Sequence, residues 1–197
     1  MYRIYVAFIE IIAAAVFIIP IWCIYNKLRF NNWKKTIIYM IFAFYLTAIL
    51  VLTGFPSVTY LKINVTLNII PLVGMAADFS NSCLNVLLFV PLGFFLPILW
   101  DDFRKIKNVA LTGVVTSLFI EISQIFTYRA TDINDIITNT IGTIVGYFIA
   151  RLITDKFTKR ILSNSKISDF YIICVTVVLI MFFFQQFISL LLWEMIL

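Results

Sequence analysis

Residues 121–139, with the sequence EISQIFTYRATDINDIITN, decide the fold of this chain. They hold the end of one apolar run and the start of the next around a short polar connection, which predicts an antiparallel hairpin of two membrane helices. Ionisable residues are dense here, namely Glu121, Arg129, Asp132 and Asp135. A charge at the centre of a membrane helix costs roughly 2.5 to 3.5 kcal/mol on insertion scales. The hairpin therefore predicts either groups that satisfy one another structurally or a site that faces the extracytoplasmic side.

The rest of the chain is almost continuously apolar. Of its 197 residues, 62% are hydrophobic and only 13% are charged, and the mean hydropathy is +1.03. Runs long enough to cross a hydrocarbon core of about 30 Å lie at 4–25, 36–53, 83–100, 108–126, 136–153 and 169–193. We predict an all-α integral membrane protein, a bundle of six transmembrane helices in a single membrane domain over 1–197. The first run contains Glu10 and Pro20 and no small-residue cleavage site follows it, so we expect a retained helix rather than a removed signal peptide.

The basic residues predict the orientation in the membrane. Most of the 15 lysines and arginines fall in the connections 26–35, 101–107 and 151–168. The positive-inside rule places these connections in the cytoplasm and both termini on the extracytoplasmic side. The longest connection, 54–82, is then one long extracytoplasmic loop, and the apolar–polar alternation within it predicts an extended segment. The net charge of +5 indicates attraction to anionic lipid headgroups, so we expect membrane lipids as partners and no nucleic acid.

Polar residues share one face on each helix of the hairpin. Spacings of three and four place Glu121 and Gln124 on one face of the first helix, and Asp135 and Asn139 on one face of the second. We predict that these four side chains face one outward-opening pocket. Glu121 should face the bundle and bond to amides or to Arg129, because exposure to lipid would leave its charge uncompensated.

Structural roles compete with binding at several positions in the hairpin. Gly142 and Gly146 have the spacing that lets two membrane helices approach closely, so we interpret both as helix-packing residues. Asp132 and Asp135 would favour the positive end of a helix dipole, with Thr131 as the cap. For Asp132, the structural and the ligand-binding interpretations both remain open.

Several motifs, in this order and spacing, resemble the VanZ-like family. They are Asn68-Ile-Ile-Pro71, Leu84-Asn85-Val-Leu-Leu-Phe89-Val-Pro91-Leu-Gly93, Glu121-Ile-Ser-Gln124, Arg129, Asp132-Ile-Asn-Asp135 and Asn139-Thr-Ile-Gly142-Thr-Ile-Val-Gly146. The resemblance covers a core at about 40–152, flanked by an extra N-terminal helix at about 4–25 and an extra C-terminal helix at about 169–193. The family consists of small membrane proteins named for a teicoplanin-resistance accessory protein. The resemblance implies a bacterial cell-envelope protein of the cytoplasmic membrane that lowers glycopeptide susceptibility, and its motifs add Asn68 and Asn85 to the ligand-binding candidates.

Several functions remain open at this point. In the first, an outward-facing polar pocket binds a lipid-linked cell-wall precursor or a glycopeptide antibiotic without catalysis. In the second, a membrane-embedded hydrolase or transferase acts on a lipid-linked phosphate or glycan, with Glu121 as general base, Arg129 as phosphate clamp and two aspartates as Mg²⁺ ligands. A transporter and a purely structural partner protein are further alternatives. The chain has no histidine, which excludes Ser-His-Asp triads and the usual zinc-hydrolase motifs. We predict no cofactor and assign no metal ligand.

Overall fold

The structure, a computed structural model, describes residues 2–59, 61–63, 65–68, 70–71, 78–127, 129–154 and 165–196. Its helices are α1 Tyr2–Tyr25, α2 Trp33–Thr53, α3 Phe79–Leu99, α4 Ile106–Gln124, α5 Ile133–Thr154, α6 Ile167–Leu179 and α7 Gln185–Ile196. There are also two short strands, β1 Leu67–Asn68 and β2 Thr131–Asp132, two π-helical segments, Asn26–Phe30 and Ile180–Phe184, and a 3-10 helix, Asp101–Arg104.

Six helical segments are long and apolar enough to cross a membrane. The last of them joins α6 to α7 through a π-helical segment, Ile180–Phe184, and the mean hydropathy of the six lies between 1.3 and 2.5. The predicted all-α fold with six membrane helices is therefore confirmed, and the chain is a multi-pass membrane protein. The predicted long loop 54–82 falls partly outside the described residues, so that feature stays a prediction.

The chain divides into two compact units, and the first comprises Met1–Leu61 and Ser168–Leu197. Its core is strongly aromatic, because the side chains of Trp22, Tyr39 and Phe42 are fully buried. The π-helical segment has a partner in the same unit: the backbone N–H of Val58 donates to the carbonyl of Phe182 at 2.9 Å.

A buried carboxylate connects three elements of this first unit. Asp169, at the start of α6, accepts from Arg29 Nε at 2.9 Å, from Lys35 Nζ at 2.8 Å and from the Tyr39 hydroxyl at 3.2 Å. The sequence of the last helix predicts no polar role for it, so this network is a structural finding. It gives a buried charge the paired and hydrogen-bonded surroundings that such a charge requires.

The second unit, Lys62–Ile167, contains α3, α4 and α5. Glycines allow α3 and α5 to pack backbone against backbone. A Cβ atom on Gly142 or Gly146 would overlap the backbone oxygen of Val86 or Val90 in α3, and a Cβ on Gly93 would overlap the backbone of Thr143 in α5. Gly142 and Gly146, which were predicted from the sequence to be helix-packing residues, therefore lie directly against α3.

The strands tie the segment before α3 to the connection between α4 and α5. Leu67 pairs with Thr131 and Asn68 with Asp132 in parallel register. Two further backbone bonds support the pairing, from Lys62 N to Phe126 O at 3.1 Å and from Thr131 N to Thr66 O at 2.9 Å. This crossing brings Asn68 to the connection between α4 and α5, where the site candidates lie.

Candidate functional site

Glu121 lies in the last turn of α4 and is only 1% exposed. Its Oε2 accepts from the backbone N–H of Asp132 at 2.8 Å, and its carbonyl accepts from the Thr131 hydroxyl at 3.0 Å. The prediction that Glu121 faces the bundle and bonds to an amide is confirmed, although the amide belongs to the main chain. These two bonds hold the end of α4 against the start of α5.

Asp132 caps α5 and holds β1. Its Oδ1 accepts from the backbone N–H of Asn134 at 2.8 Å, which is the usual bond of a helix N-cap, and its Oδ2 accepts from Asn68 Nδ2 at 2.8 Å. Thr131 had been suggested as the cap, but its hydroxyl donates to the carbonyl of Glu121 instead. Both oxygens of Asp132 are thus engaged within the protein.

Asp135 connects α5 to α3. Its Oδ1 accepts from Asn85 Nδ2 at 2.8 Å, and both side chains are half-buried. Among the described residues, none donates a hydrogen bond to the second carboxylate oxygen of Asp135 or to the second carboxylate oxygen of Glu121. A carboxylate oxygen that accepts no bond within the protein is available to a ligand that donates a hydrogen bond.

Asn139 lies one helical turn further from the hairpin connection than Asp135. Its Nδ2 donates to Ser117 Oγ in α4 at 2.8 Å, and the two residues are 3% and 0% exposed. The carbonyl oxygen of the same side chain is buried and has no hydrogen-bond partner. Such an unsatisfied group is costly and calls for an explanation.

Six polar candidates make hydrogen bonds in this region, in three groups: Asn68, Asp132 and Glu121; Asn85 and Asp135; and Asn139 with Ser117. We call them the Glu121 cluster, and they are Asn68, Asn85, Glu121, Asp132, Asp135 and Asn139. Gln124 is buried at the same end of α4. Arg129, in the connection between α4 and α5, interacts electrostatically with both Glu121 and Asp135. Among the described residues, no three cysteine, aspartate or glutamate side chains come close enough together to hold a metal ion.

Three residues that bond to members of the Glu121 cluster were not predicted from the sequence as site residues. They are Ser117, Thr131 and Asn134. The signal for Ser117 was present, because it lies one turn from Glu121 on the same face of α4. No sequence signal identifies the bonds of Thr131 and Asn134, since each depends on how the connection folds back.

A sequence model described as VanZ/LLP1 matches residues 36–154, which is more than half of the chain. The chain belongs to the VanZ/LLP1 family. The resemblance found in the sequence motifs is thereby confirmed, and the matched region contains every residue of the Glu121 cluster as well as Gln124, Arg129, Gly142 and Gly146.

One VanZ/LLP1 relative gives a more direct comparison. Protein VanZ of Enterococcus faecium is 33% identical over 81 residues, which are 41% of this chain and 50% of that protein. The chain thus spans about half the length of the relative it matches. No solved structure matches the chain.

Proposed function

We propose that this VanZ/LLP1 protein acts in the bacterial cytoplasmic membrane and lowers susceptibility to glycopeptides of the teicoplanin type. It does so without catalysis, by binding a lipid-linked cell-wall precursor or the antibiotic at the Glu121 cluster. The single observation that carries the proposal is the convergence of polar groups from three helices and two strands at one end of the second unit. The name of the relative and the family resemblance support the connection with resistance.

The binding role follows from how the carboxylates are used. Asp132 has both oxygens occupied by internal donors and therefore serves mainly to build the site. Glu121 and Asp135 each use one oxygen for the fold and keep the other for a ligand. This arrangement fixes the positions of two charged acceptors before a ligand arrives, which reduces the ordering cost of binding.

The same contacts make a metal-assisted hydrolase or transferase the weaker alternative. A hard cation such as Mg²⁺ prefers several carboxylate oxygens together, whereas the oxygens of Asp132 are held by Asn68 and by the backbone of Asn134. The sequence also provides no histidine as a general base, and Ser117, the serine bonded to Asn139, is fully buried.

The sidedness required by this proposal can be tested directly. Reporters fused after Lys35, Lys107 or Lys166 should read as cytoplasmic, and reporters near Asn81, Arg129 or the C-terminus should read as external, because the basic residues concentrate on one side. An external reading at Lys107 would place the Glu121 cluster on the cytoplasmic side and contradict the proposal.

The role of the site in resistance gives a second test. We expect Glu121→Gln, Arg129→Ala and Asp135→Asn each to return glycopeptide susceptibility to the level of cells that lack the protein, with little change in its abundance. Gln and Asn keep an acceptor for Asp132 N and for Asn85, so the fold should survive while the charge is lost. Susceptibility assays on cells with immunoblotted membrane fractions measure both quantities.

Asp101→Asn is the matched control for these variants. Asp101 lies in the connection between α3 and α4, at the opposite end of the helices, and its side chain is 82% exposed beside Arg104. Loss of this surface ion pair should change neither abundance nor susceptibility. If the three cluster variants disappear from the membrane while Asp101→Asn persists, the cluster is structural and the binding proposal is wrong.

A further inference from the structure

We infer that the Glu121 cluster binds a primary ammonium group of its ligand, rather than a phosphate or another anion. This inference rests on the proposed function and specifies the chemistry of the group that is recognised. It follows from three observations: a buried acceptor without a donor, two half-used carboxylates, and the sign of the surrounding charge.

The buried acceptor is the side-chain oxygen of Asn139, which has no partner although the residue is 3% exposed. Asn139 lies one turn from Asp135 on the same face of α5, and it bonds to Ser117, which lies one turn from Glu121 on the same face of α4. Its amide therefore lies between α4 and α5, one helical turn along α5 from Asp135. A donor from a ligand would remove the cost of leaving this oxygen unsatisfied.

Three oxygen atoms in the cluster are acceptors that no described residue uses. They are the second oxygen of Glu121, the second oxygen of Asp135 and the side-chain oxygen of Asn139. An ammonium group has three N–H donors and no acceptor, so its three donors match these three acceptor oxygens in number. A phosphate oxygen would meet only other acceptors at these positions.

The charge of the surroundings favours the same ligand. Glu121, Asp132 and Asp135 interact electrostatically with one another, and Asp78 adds a further negative charge near Asp135. Among the described residues, Arg129 contributes a positive charge that acts on Glu121 and Asp135. A cation bound here gains favourable interactions with several carboxylates, whereas an anion would be repelled by them.

The test uses three probes that share one alkyl chain: dodecylammonium, dodecyl phosphate and N-dodecylacetamide. Each is titrated into the full chain held in nanodiscs of phosphatidylcholine, a lipid without a primary amine, and binding is followed by calorimetry. We expect dodecylammonium to bind at least about tenfold more tightly than the other two probes. Asp135→Asn and Asn139→Leu should each weaken its binding about tenfold, as expected for the loss of a charged or buried hydrogen bond, while Asp101→Asn should not.

The natural amine has two possible sources, and two competitors distinguish them. A lipid-linked cell-wall precursor that carries a free amine, reconstituted into the nanodisc, competes with dodecylammonium if the group belongs to the precursor. A soluble glycopeptide with a free amine competes, and its acetylated form does not, if the group belongs to the antibiotic.

Other outcomes would overturn the inference. Equal binding of dodecylammonium and dodecyl phosphate would contradict it, and so would binding of dodecylammonium that the Asp135→Asn variant retains. Either result leaves the proposed function intact as long as the cluster variants still restore susceptibility. Conversely, selective ammonium binding by a protein whose cluster variants leave susceptibility unchanged would support this inference and contradict the proposed function.

Discussion

Replacing Gly142 with leucine should nearly eliminate the folded protein from the membrane. The Cβ atom alone would overlap the backbone oxygen of Val86, and α3 cannot move away easily because Gly93 and Gly146 make equally close backbone contacts between the same two helices. Overpacking a well-packed core costs about 1 to 3 kcal/mol even where side chains can adjust, and here the obstacle is backbone. Immunoblots of membrane fractions, followed by size-exclusion chromatography of the extracted protein, measure the loss.

Val145→Leu is the control on the same helix. Val145 is 40% exposed, so one added methylene group should leave the level of protein unchanged. Normal abundance of Gly142→Leu would show that α3 and α5 can separate at little cost, and the close packing would then not be what maintains this unit.

Asp169→Ala should lower the melting temperature of the detergent-solubilised protein more than any other single polar change in the first unit. The substitution removes one carboxylate and leaves Arg29, Lys35 and the Tyr39 hydroxyl without their shared acceptor. Breaking a fully buried ion pair costs about 3 to 5 kcal/mol. Because the Arg29 side chain is 39% exposed to its surroundings, solvent screening reduces the expected cost to about 1 to 3 kcal/mol.

Two further variants show whether the loss comes from the network. Lys35→Gln should destabilise less than Asp169→Ala, since Arg29 still compensates the carboxylate, and the double variant should cost less than the two single changes added together. Lys27→Gln, an exposed position in the same connection, is the control. Equal effects of Asp169→Ala and Lys27→Gln would mean that the buried pairing contributes nothing to stability.

The six membrane helices could be predicted because a membrane leaves few alternatives. Every backbone group in the hydrocarbon region must bond within its own segment, so a long apolar run indicates a helix whatever its neighbours are. The end of α2 was also predictable, because the apolar run ends at residue 53. The next residue, Gly54, adopts the left-handed conformation typical of a helix C-cap. Local rules were sufficient for these features.

Pairings between distant residues could not be predicted in the same way. Asp169 lies 140 residues from Arg29 and 134 from Lys35, and no periodicity within α6 identifies either partner. The π-helical segment Ile180–Phe184 is similarly hidden, because its sequence is as apolar as the helices on either side. Such features depend on which helices pack together rather than on any one helix.

The candidate site lies between these two cases. Carboxylates and amides on a membrane helix are conspicuous, and helical spacing alone was enough to predict that Glu121 faces the bundle. The partner of each group was not predictable, because Glu121 bonds to a backbone amide and Asp132 divides its oxygens between a helix cap and a strand. Side-chain identity thus located the site, and only the fold of the connection determined its bonds.

The parallel pairing of β1 with β2 has a consequence for how the protein is made. Asn68 and Asp132 are 64 residues apart, and both α3 and α4 lie between them in the chain. A nascent chain that has emerged only as far as Gln124 contains β1 but nothing for it to pair with. The Glu121 cluster is therefore assembled late during synthesis, after the chain has passed Asn139, and an interrupted product would carry these polar groups in the bilayer without the partners that compensate them.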